Sequence, residues 1–495
     1  MVFILNVISE IFSIYGILLV ALSVAGGIAI GAMPGLSATM GVALLIPITF
    51  SMTPAHGLMA LGGIYIGAIY GGSIPAILLR IPGTPASIAT TLDGFPMAQN
   101  GEADKALKIS IFSSFSGGII SALALLLIAP PLAKIALAFG PAEYFWVTLF
   151  GLSIIVALSS NNLIKGFISA VIGLFIGIIG MDPLTGFSRF DFGNINLLSG
   201  ISPIILLIGL YSIPQALEML ESGEINKGSS VAKLQKFASF KEIWKEFCQF
   251  WPAYLRSGII GTIIGIVPGA GANIASYVGY NEAKRWSKHP EKFGTGISEG
   301  ITGSEAANNG VTGGSLIPLL TLGIPGNGVT AVLIGGLLIQ GLRPGPMLFS
   351  QNADIVYIFM GSILFGNFIM FFLGYYGASI FANVVKIPKI IVAPTVIVLS
   401  MVGTYAINNS LFEVGVMLIV GLIGYVMRNL NIDSAPAVLA LILGPMAESN
   451  VRRALLISSG NIGILFTGLI NWVFLIATVA SLVFGFRTFI RERIK

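Results

Sequence analysis

Along most of this chain, long unbroken apolar runs alternate with short polar turns. About 20 apolar residues make a helix long enough to cross a bilayer. Runs of this kind lie at roughly 8–30, 55–79, 107–129, 142–160, 164–180 and 200–220, and then at roughly 253–267, 305–323, 328–342, 353–383, 388–407, 410–427, 434–446 and 460–486. The period-two alternation of an outer-membrane barrel is missing, so the spans are helical. Several runs are too short or too rich in Gly and Pro to be simple spans. The pattern therefore predicts an all-α polytopic membrane protein with about 10–12 crossings and some broken or re-entrant segments.

One stretch interrupts the pattern. Residues 221–250 are polar and carry Lys227, Lys233, Lys236, Lys241 and Lys245. The positive-inside rule puts this linker in the cytoplasm, together with the tail bearing Arg487, Arg491, Arg493 and Lys495. The first ten residues hold no Lys or Arg and are placed outside. With no basic segment ahead of it and no small-residue cleavage site after it, the first apolar run reads as a retained helix. The organisation expected is a first transmembrane repeat over 1–220, the linker over 221–250, a second repeat over 251–459, and a terminal helix with a basic tail over 460–495.

The word repeat rests on paired motifs. Gly31-Ala-Met-Pro34-Gly35-Leu-Ser37-Ala38 is answered 234 residues later by Gly265-Ile-Val-Pro268-Gly269-Ala-Gly271-Ala272. Gly71-Gly72-Ser73 followed by Ile81-Pro82-Gly83-Thr84 is answered, about 242 residues on, by Gly313-Gly314-Ser315 followed by Ile324-Pro325-Gly326-Asn327. A weaker third match sets Ser159-Ser160-Asn161-Asn162-Leu163 against Asn408-Asn409-Ser410-Leu411. An internal duplication is expected. If the first repeat starts outside and the second follows a cytoplasmic linker, the two have opposite orientation, the inverted plan of many secondary transporters.

Composition agrees with the pattern and narrows the function. Hydrophobic residues make up 55% of the chain and charged ones 9%, with a mean hydropathy of +0.93. So few charges cannot cover a water-facing surface of this size. The net charge of +5 is spread over short connections, so no nucleic-acid partner is expected. One cysteine, Cys248, and two histidines, His56 and His289, offer neither a disulfide nor a Cys/His metal site. No nucleophile–base–orienter set and no Walker A lysine are present, so neither an enzyme nor an ATPase is expected.

The candidate chemistry lies in the breaks. Proline and glycine inside apolar runs unwind the helix, and unwound backbone at membrane depth persists only where it lines a cavity. There, helix N-termini attract anions and C-terminal carbonyls attract cations. Pro34, Gly35, Ser37, Gly72, Ser73, Pro82, Gly83, Thr84, Gly314, Ser315, Pro325, Gly326 and Asn327 are accordingly the expected substrate-binding residues. Arg80 joins them as a partner for a carboxylate, with an interfacial anchor as the equal alternative. Asp93 reads as a loop or capping residue, and Glu448 with Arg452 and Arg453 as an interfacial cluster. Glu305, Asn308, Asn309 and Thr312 fall on one helix face and, with Asn273, offer the oxygens that suit sodium.

The segments GAMPGLSATMGVALLIPITF (31–50), YGGSIPAILLRIPGTPASIATTLDGFPMA (70–98), GIVPGAGANIASYVGYNEAKR (265–285), GSEAANNGVTGGSLIPLLTLGIPGN (303–327) and VLALILGPMAE (438–448) closely resemble the TctA family. That family supplies the large membrane subunit of the tripartite tricarboxylate transporters. The resemblance runs from the first helix to about residue 470. It implies a bacterial inner-membrane permease that works with a small four-helix membrane subunit (TctB-like) and a periplasmic solute-binding protein (TctC-like). It also implies import of citrate or another carboxylate, driven by Na+ or H+ and without a resident cofactor. The alternative is a standalone cation-coupled carrier that needs no binding protein.

Overall fold

The computed structural model describes residues 2–158, 163–182, 184–221 and 238–494. The tetrad 159–162 of the third motif match lies outside the described residues, as do Lys227, Lys233 and Lys236 of the linker and Lys495 of the tail. In the first half the helices are α1 (Val2–Ile11), α2 (Ile14–Ala32), α3 (Ala38–Thr49), α4 (Pro54–Gly71), α5 (Ser73–Leu79), α6 (Thr91–Met97), α7 (Ala103–Ala136), α8 (Pro141–Leu158), α9 (Leu163–Gly177) and α10 (Pro203–Glu221). In the second they are α11 (Phe240–Ile266), α12 (Gly271–Trp286), α13 (Ser298–Leu322), α14 (Gly328–Ile339), α15 (Met347–Gln351), α16 (Ala353–Val384), α17 (Lys389–Asn408), α18 (Leu411–Asn429), α19 (Ala435–Ile457) and α20 (Leu469–Ile494). A short antiparallel hairpin, Gly180–Met181 on Ser188–Arg189, links α9 to α10.

Local chemistry explains where these helices begin and end. Hydroxyl side chains accept from first-turn amides at Ser13, Ser37, Thr53, Ser239 and Ser410, which start α2, α3, α4, α11 and α18. Gly323, at φ 74°, ends α13 in the left-handed region that glycine adopts without penalty. Among the described residues, eight helical stretches are long and apolar enough to cross a bilayer, fewer than the apolar runs alone suggest. The deficit has a physical source: α3, α9 and α14 are apolar but too short, and α3 and α14 each start at a Pro-Gly break. Phe240 to Phe250, at the end of the polar stretch, belong to α11. Phe240 and Phe247 give that segment an aromatic face, which packs on Phe112 of α7.

Two nearly all-buried helices form the centre. α4 is buried from Gly57 to Gly71, and α13 from Ser298 to Thr321 despite its many polar residues. α4 packs on α2 and α13 on α11, in both cases through glycines that bring backbones together. A Cβ on Gly67 would strike the Val24 carbonyl oxygen, and one on Gly314 would strike that of Thr262. The rest of each half completes the other. α7 lies along α11 and α13, while α16 lies along α2 and α4. In the same way α10 packs on α17 and α18, and α19 on α8 and α9. The multi-pass membrane protein is thus two interlocked sets of helices, with the helix breaks brought to its middle.

Candidate functional site

Four interrupted segments meet around one cavity of ≈ 730 Å³. From the first half come Gly35 to Thr39, at the α2–α3 break, and Pro82 to Ala86 after α5. From the second come Gly269 to Ile274, at the α11–α12 break, and Asn327 to Val329 at the start of α14. Residues of α10 and of the α18–α19 turn close the remaining sides.

Backbone bonds hold the breaks open. Gly83 N donates to Gly72 O at 3.1 Å, and Gly269 N donates to Gly326 O at 2.8 Å. Gly83 has no room for a side chain, because a Cβ there would run into Gly31 O and Gly72 Cα. Gly326 is also tight, with Gly265 O and Ser315 Cβ each 2.7 Å from where a Cβ would sit. These glycines let the chain turn back while three helix N-termini, those of α3, α12 and α14, point at the hollow. Ser37 caps α3, accepting from Met40 N at 3.2 Å and donating to Gln215 Oε1 at 3.1 Å. Asn327 caps α14 in a reciprocal box with Thr330, and its Nδ2 donates to Tyr65 Oη at 2.9 Å. The first turn of α12 has no side-chain cap. Its amides are left facing the cavity, and partial positive charge at a helix N-terminus favours an anion.

Of the residues that the sequence pointed to for substrate, Gly35, Ser37, Pro82, Gly83, Thr84 and Asn327 line this cavity. Pro34, Gly72, Ser73, Gly314, Ser315, Pro325 and Gly326 sit buried beneath it as packing. Ser73 donates to Tyr70 O at 2.8 Å and accepts from Ser110, and Ser315 lies 3.0 Å from Tyr65 Oη. Arg80 stands apart from the lining. A left-handed turn at φ 61° ends α5 there, and the exposed guanidinium sits 5.8 Å over the Phe95 ring.

The residues grouped for a cation divide in two. Asn273 is exposed and lines the cavity. Glu305, Asn308, Asn309 and Thr312 are buried between α13, α7 and the turn before α6. Glu305 accepts from Thr90 by a short bond, from Ser114 at 3.3 Å and from Asn308 Nδ2 at 3.4 Å. Asn309 Nδ2 donates to Ser114 Oγ at 2.8 Å, and Thr312 donates to Asn309 O at 2.6 Å, one turn further on. The side-chain oxygens of Asn308 and Asn309 have no hydrogen-bond donor. A buried carboxylate beside two unpartnered amide oxygens is a donor set fit for a hard monovalent cation. Among the described residues no three His, Cys, Asp or Glu cluster as a metal site.

Asp93 lies in the first turn of α6 and ties down the loop ahead of α13. Buried, it accepts from the amides of Gly294, Gly296 and Ile297 at 2.8–3.0 Å and from Tyr280 Oη at 2.9 Å, so a first-half carboxylate anchors the start of α13. The structure also adds cavity residues that the motifs did not indicate: Tyr211 and Gln215 of α10, Arg428 at the end of α18, and Asp433. The signal for the first two was a polar pair one helical turn apart inside an apolar run. Arg428 and Asp433 gave no comparable signal, since charged residues at a helix end usually face water.

The family model for the tripartite tricarboxylate transporter TctA family matches residues 17–439. The chain is 35% identical over 467 residues, 94% of its length and 92% of the relative's, to an uncharacterised 52.8 kDa protein in the TAR-I ttuC' 3' region of Agrobacterium vitis. It is also 35% identical over 201 residues, 41% of this chain and 83% of the relative, to an uncharacterised protein in the TAR-II ttuC' 3' region of the same organism. No solved structure matches it.

Proposed function

The chain belongs to the tripartite tricarboxylate transporter TctA family, a transporter rather than an enzyme, and on that premise we propose that it is a permease importing carboxylates by cation symport. The observation that carries the reading is the uncapped first turn of α12, facing a cavity of ≈ 730 Å³ together with the starts of α3 and α14. A carboxylate there takes hydrogen bonds from backbone amides and sits in the field of three helix N-termini. Thr84, Ser37 and Asn273 line the same space and supply further polar contacts. Citrate and other di- or tricarboxylates are the substrate class.

The coupling ion is a second cargo, held at Glu305 with the oxygens of Asn308 and Asn309 and with Thr312 one turn away. Sodium fits this oxygen set, and its gradient would drive uptake. The two halves are repeats of opposite orientation in this reading. Support comes from the matching order of helix, break and helix in α2–α3 and α11–α12, and from the reciprocal packing of α7 and α16. Transport then moves one repeat-built unit against the other around the cavity. The partners are a small four-helix membrane subunit and a periplasmic binding protein that delivers substrate, with all parts at the bacterial inner membrane.

The test is uptake of radiolabelled citrate and a small carboxylate panel into proteoliposomes. These hold the chain with its small subunit, the binding protein outside and an imposed sodium gradient. The expected result is uptake that needs both gradient and binding protein and is lost in a folded Glu305→Gln variant. Gradient-driven uptake without the binding protein would instead favour a standalone carrier. Absence of uptake for every carboxylate, under sodium and proton gradients alike, would overturn the substrate class.

A further inference from the structure

At the rim of the cavity lies a charge arrangement that recognition by backbone amides leaves unused. Arg428, in the last turn of α18, is among the described residues the one Lys, Arg or His side chain on the cavity lining. Its Nη2 is 2.6 Å from Glu218 Oε2, and both side chains are about half exposed. Glu218 continues the face of α10 that carries Tyr211, Pro214 and Gln215, all three of them cavity residues. A guanidinium at the cavity's edge is therefore already holding a carboxylate, one that belongs to the protein.

The neighbouring charges have other engagements. Asp433 also lines the cavity, but its Oδ1 accepts from Ala435 N at 2.9 Å at the start of α19. Glu221 accepts from Tyr425 Oη at 2.7 Å. Lys165 donates to the Leu430 carbonyl at 2.7 Å. An ion pair as open to water as Arg428–Glu218 holds its members weakly and exchanges readily. The planar fork of arginine matches a carboxylate with two parallel hydrogen bonds.

We infer that Arg428 is a specificity-determining residue that takes a second carboxylate of the substrate, exchanging it for that of Glu218. The inference rests on the carboxylate reading of the cavity and deepens it. One carboxylate lies on the amides of α12, and a second, present only in di- and tricarboxylates, reaches the rim. Glu218 is the internal competitor for that position. The two members of one ion pair then have opposite effects on affinity, which a purely structural tie between α10 and α18 would not produce.

Equilibrium binding of radiolabelled citrate, succinate and propionate to the full chain in detergent at neutral pH tests this. Arg428→Gln should weaken citrate and succinate by roughly tenfold or more and leave propionate within about twofold. Arg428→Lys, which keeps the charge and loses the fork, should fall between. Glu218→Gln should tighten citrate several-fold. Citrate binding that weakens or stays level in Glu218→Gln overturns the inference, even if the arginine variants fail to fold. So does an equal loss of propionate and citrate in a folded Arg428→Gln. If the unsubstituted chain binds none of the three, the carboxylate reading of the cavity fails, a result separable from failure of the Arg428 assignment alone.

Discussion

Two helix breaks face one another across the cavity, built on the same Pro-Gly pattern and finished differently. In the first, Pro34-Gly35 is followed by Ser37, whose hydroxyl satisfies an α3 amide and is tied to Gln215. At the matching place in the second break stands Gly271, and the first turn of α12 is left without a side-chain cap. Both breaks bend the chain equally well, since Gly35 and Gly269 take φ of 96° and 80°. The contrast separates two roles that the motif alone merges. A Pro-Gly break creates a helix end, and the residue at the cap position, Ser37 in the first and Ala270 in the second, decides whether that end is satisfied by its own side chain. By this criterion the first half presents a helix end satisfied by its own side chain and the second half one without a side-chain cap.

The comparison can be broken most severely where the halves are alike. Gly83 and Gly326 lie in the two matching Ile-Pro-Gly segments, and each is enclosed by its own half of the chain. Gly83→Val and Gly326→Val should each destabilise the protein by about 1–3 kcal/mol or more, with loss of monodisperse protein on gel filtration. Tolerance of one and not the other would end the structural equivalence. A more pointed experiment reverses the difference between the breaks. Ala270→Asp sets a tethered carboxylate beside the free amides of α12. Thermal stability should rise by up to about 1 kcal/mol while carboxylate affinity falls roughly tenfold. Unchanged affinity would mean that those amides do not bind substrate.

Removing the existing caps should act more gently, and on stability first. Ser37→Ala should lower stability by about 1 kcal/mol, read by thermal unfolding in detergent, and leave affinity nearly unchanged. Asn327→Ala should lower it somewhat more, because the α14 capping box and the Tyr65 bond go together. The smallest effect concerns the hairpin between α9 and α10. The Leu184 amide, then Arg452 and Thr185, hold the Asp182 carboxyl well below its ordinary range, and Arg189 bridges it to Glu448. A carboxyl lowered by folding contributes stability above the unfolded value, near ~3.9, and loses it as pH falls through the folded one. Protease cleavage within residues 178–202 should stay level from about pH 8 to about pH 5 and rise only below about pH 4. Asp182→Asn should raise it at neutral pH.

How much of this was legible depended on the range of the interaction. Helix ends set by a local side chain, as at Ser37, Thr53 and Ser410, could be read from neighbours three residues apart. The Pro-Gly motifs located the breaks for the same reason. Arg80 illustrates the limit. Its place beside Ile-Pro-Gly left a substrate partner and an interfacial anchor equally open, and only its own left-handed turn leads the side chain out to Phe95. Asn273 was grouped with Glu305 by chemistry, and the structure assigns it to the other site because it starts a different helix, on the cavity side. Arg428 and Gln215 enter the cavity only because α10 packs on α18, a pairing with no counterpart in local pattern.

The sequence by itself determined the solvent, the helical class and the positions where helices had to stop. Those properties follow from apolar content, proline's missing amide hydrogen and glycine's backbone freedom, all carried by short segments of chain. Tertiary structure alone decided which broken ends share one cavity and which arginine reaches its rim. Such outcomes depend on contacts between residues a hundred or more positions apart. They are settled by how whole helices pack, and no local stretch of sequence encodes that distance.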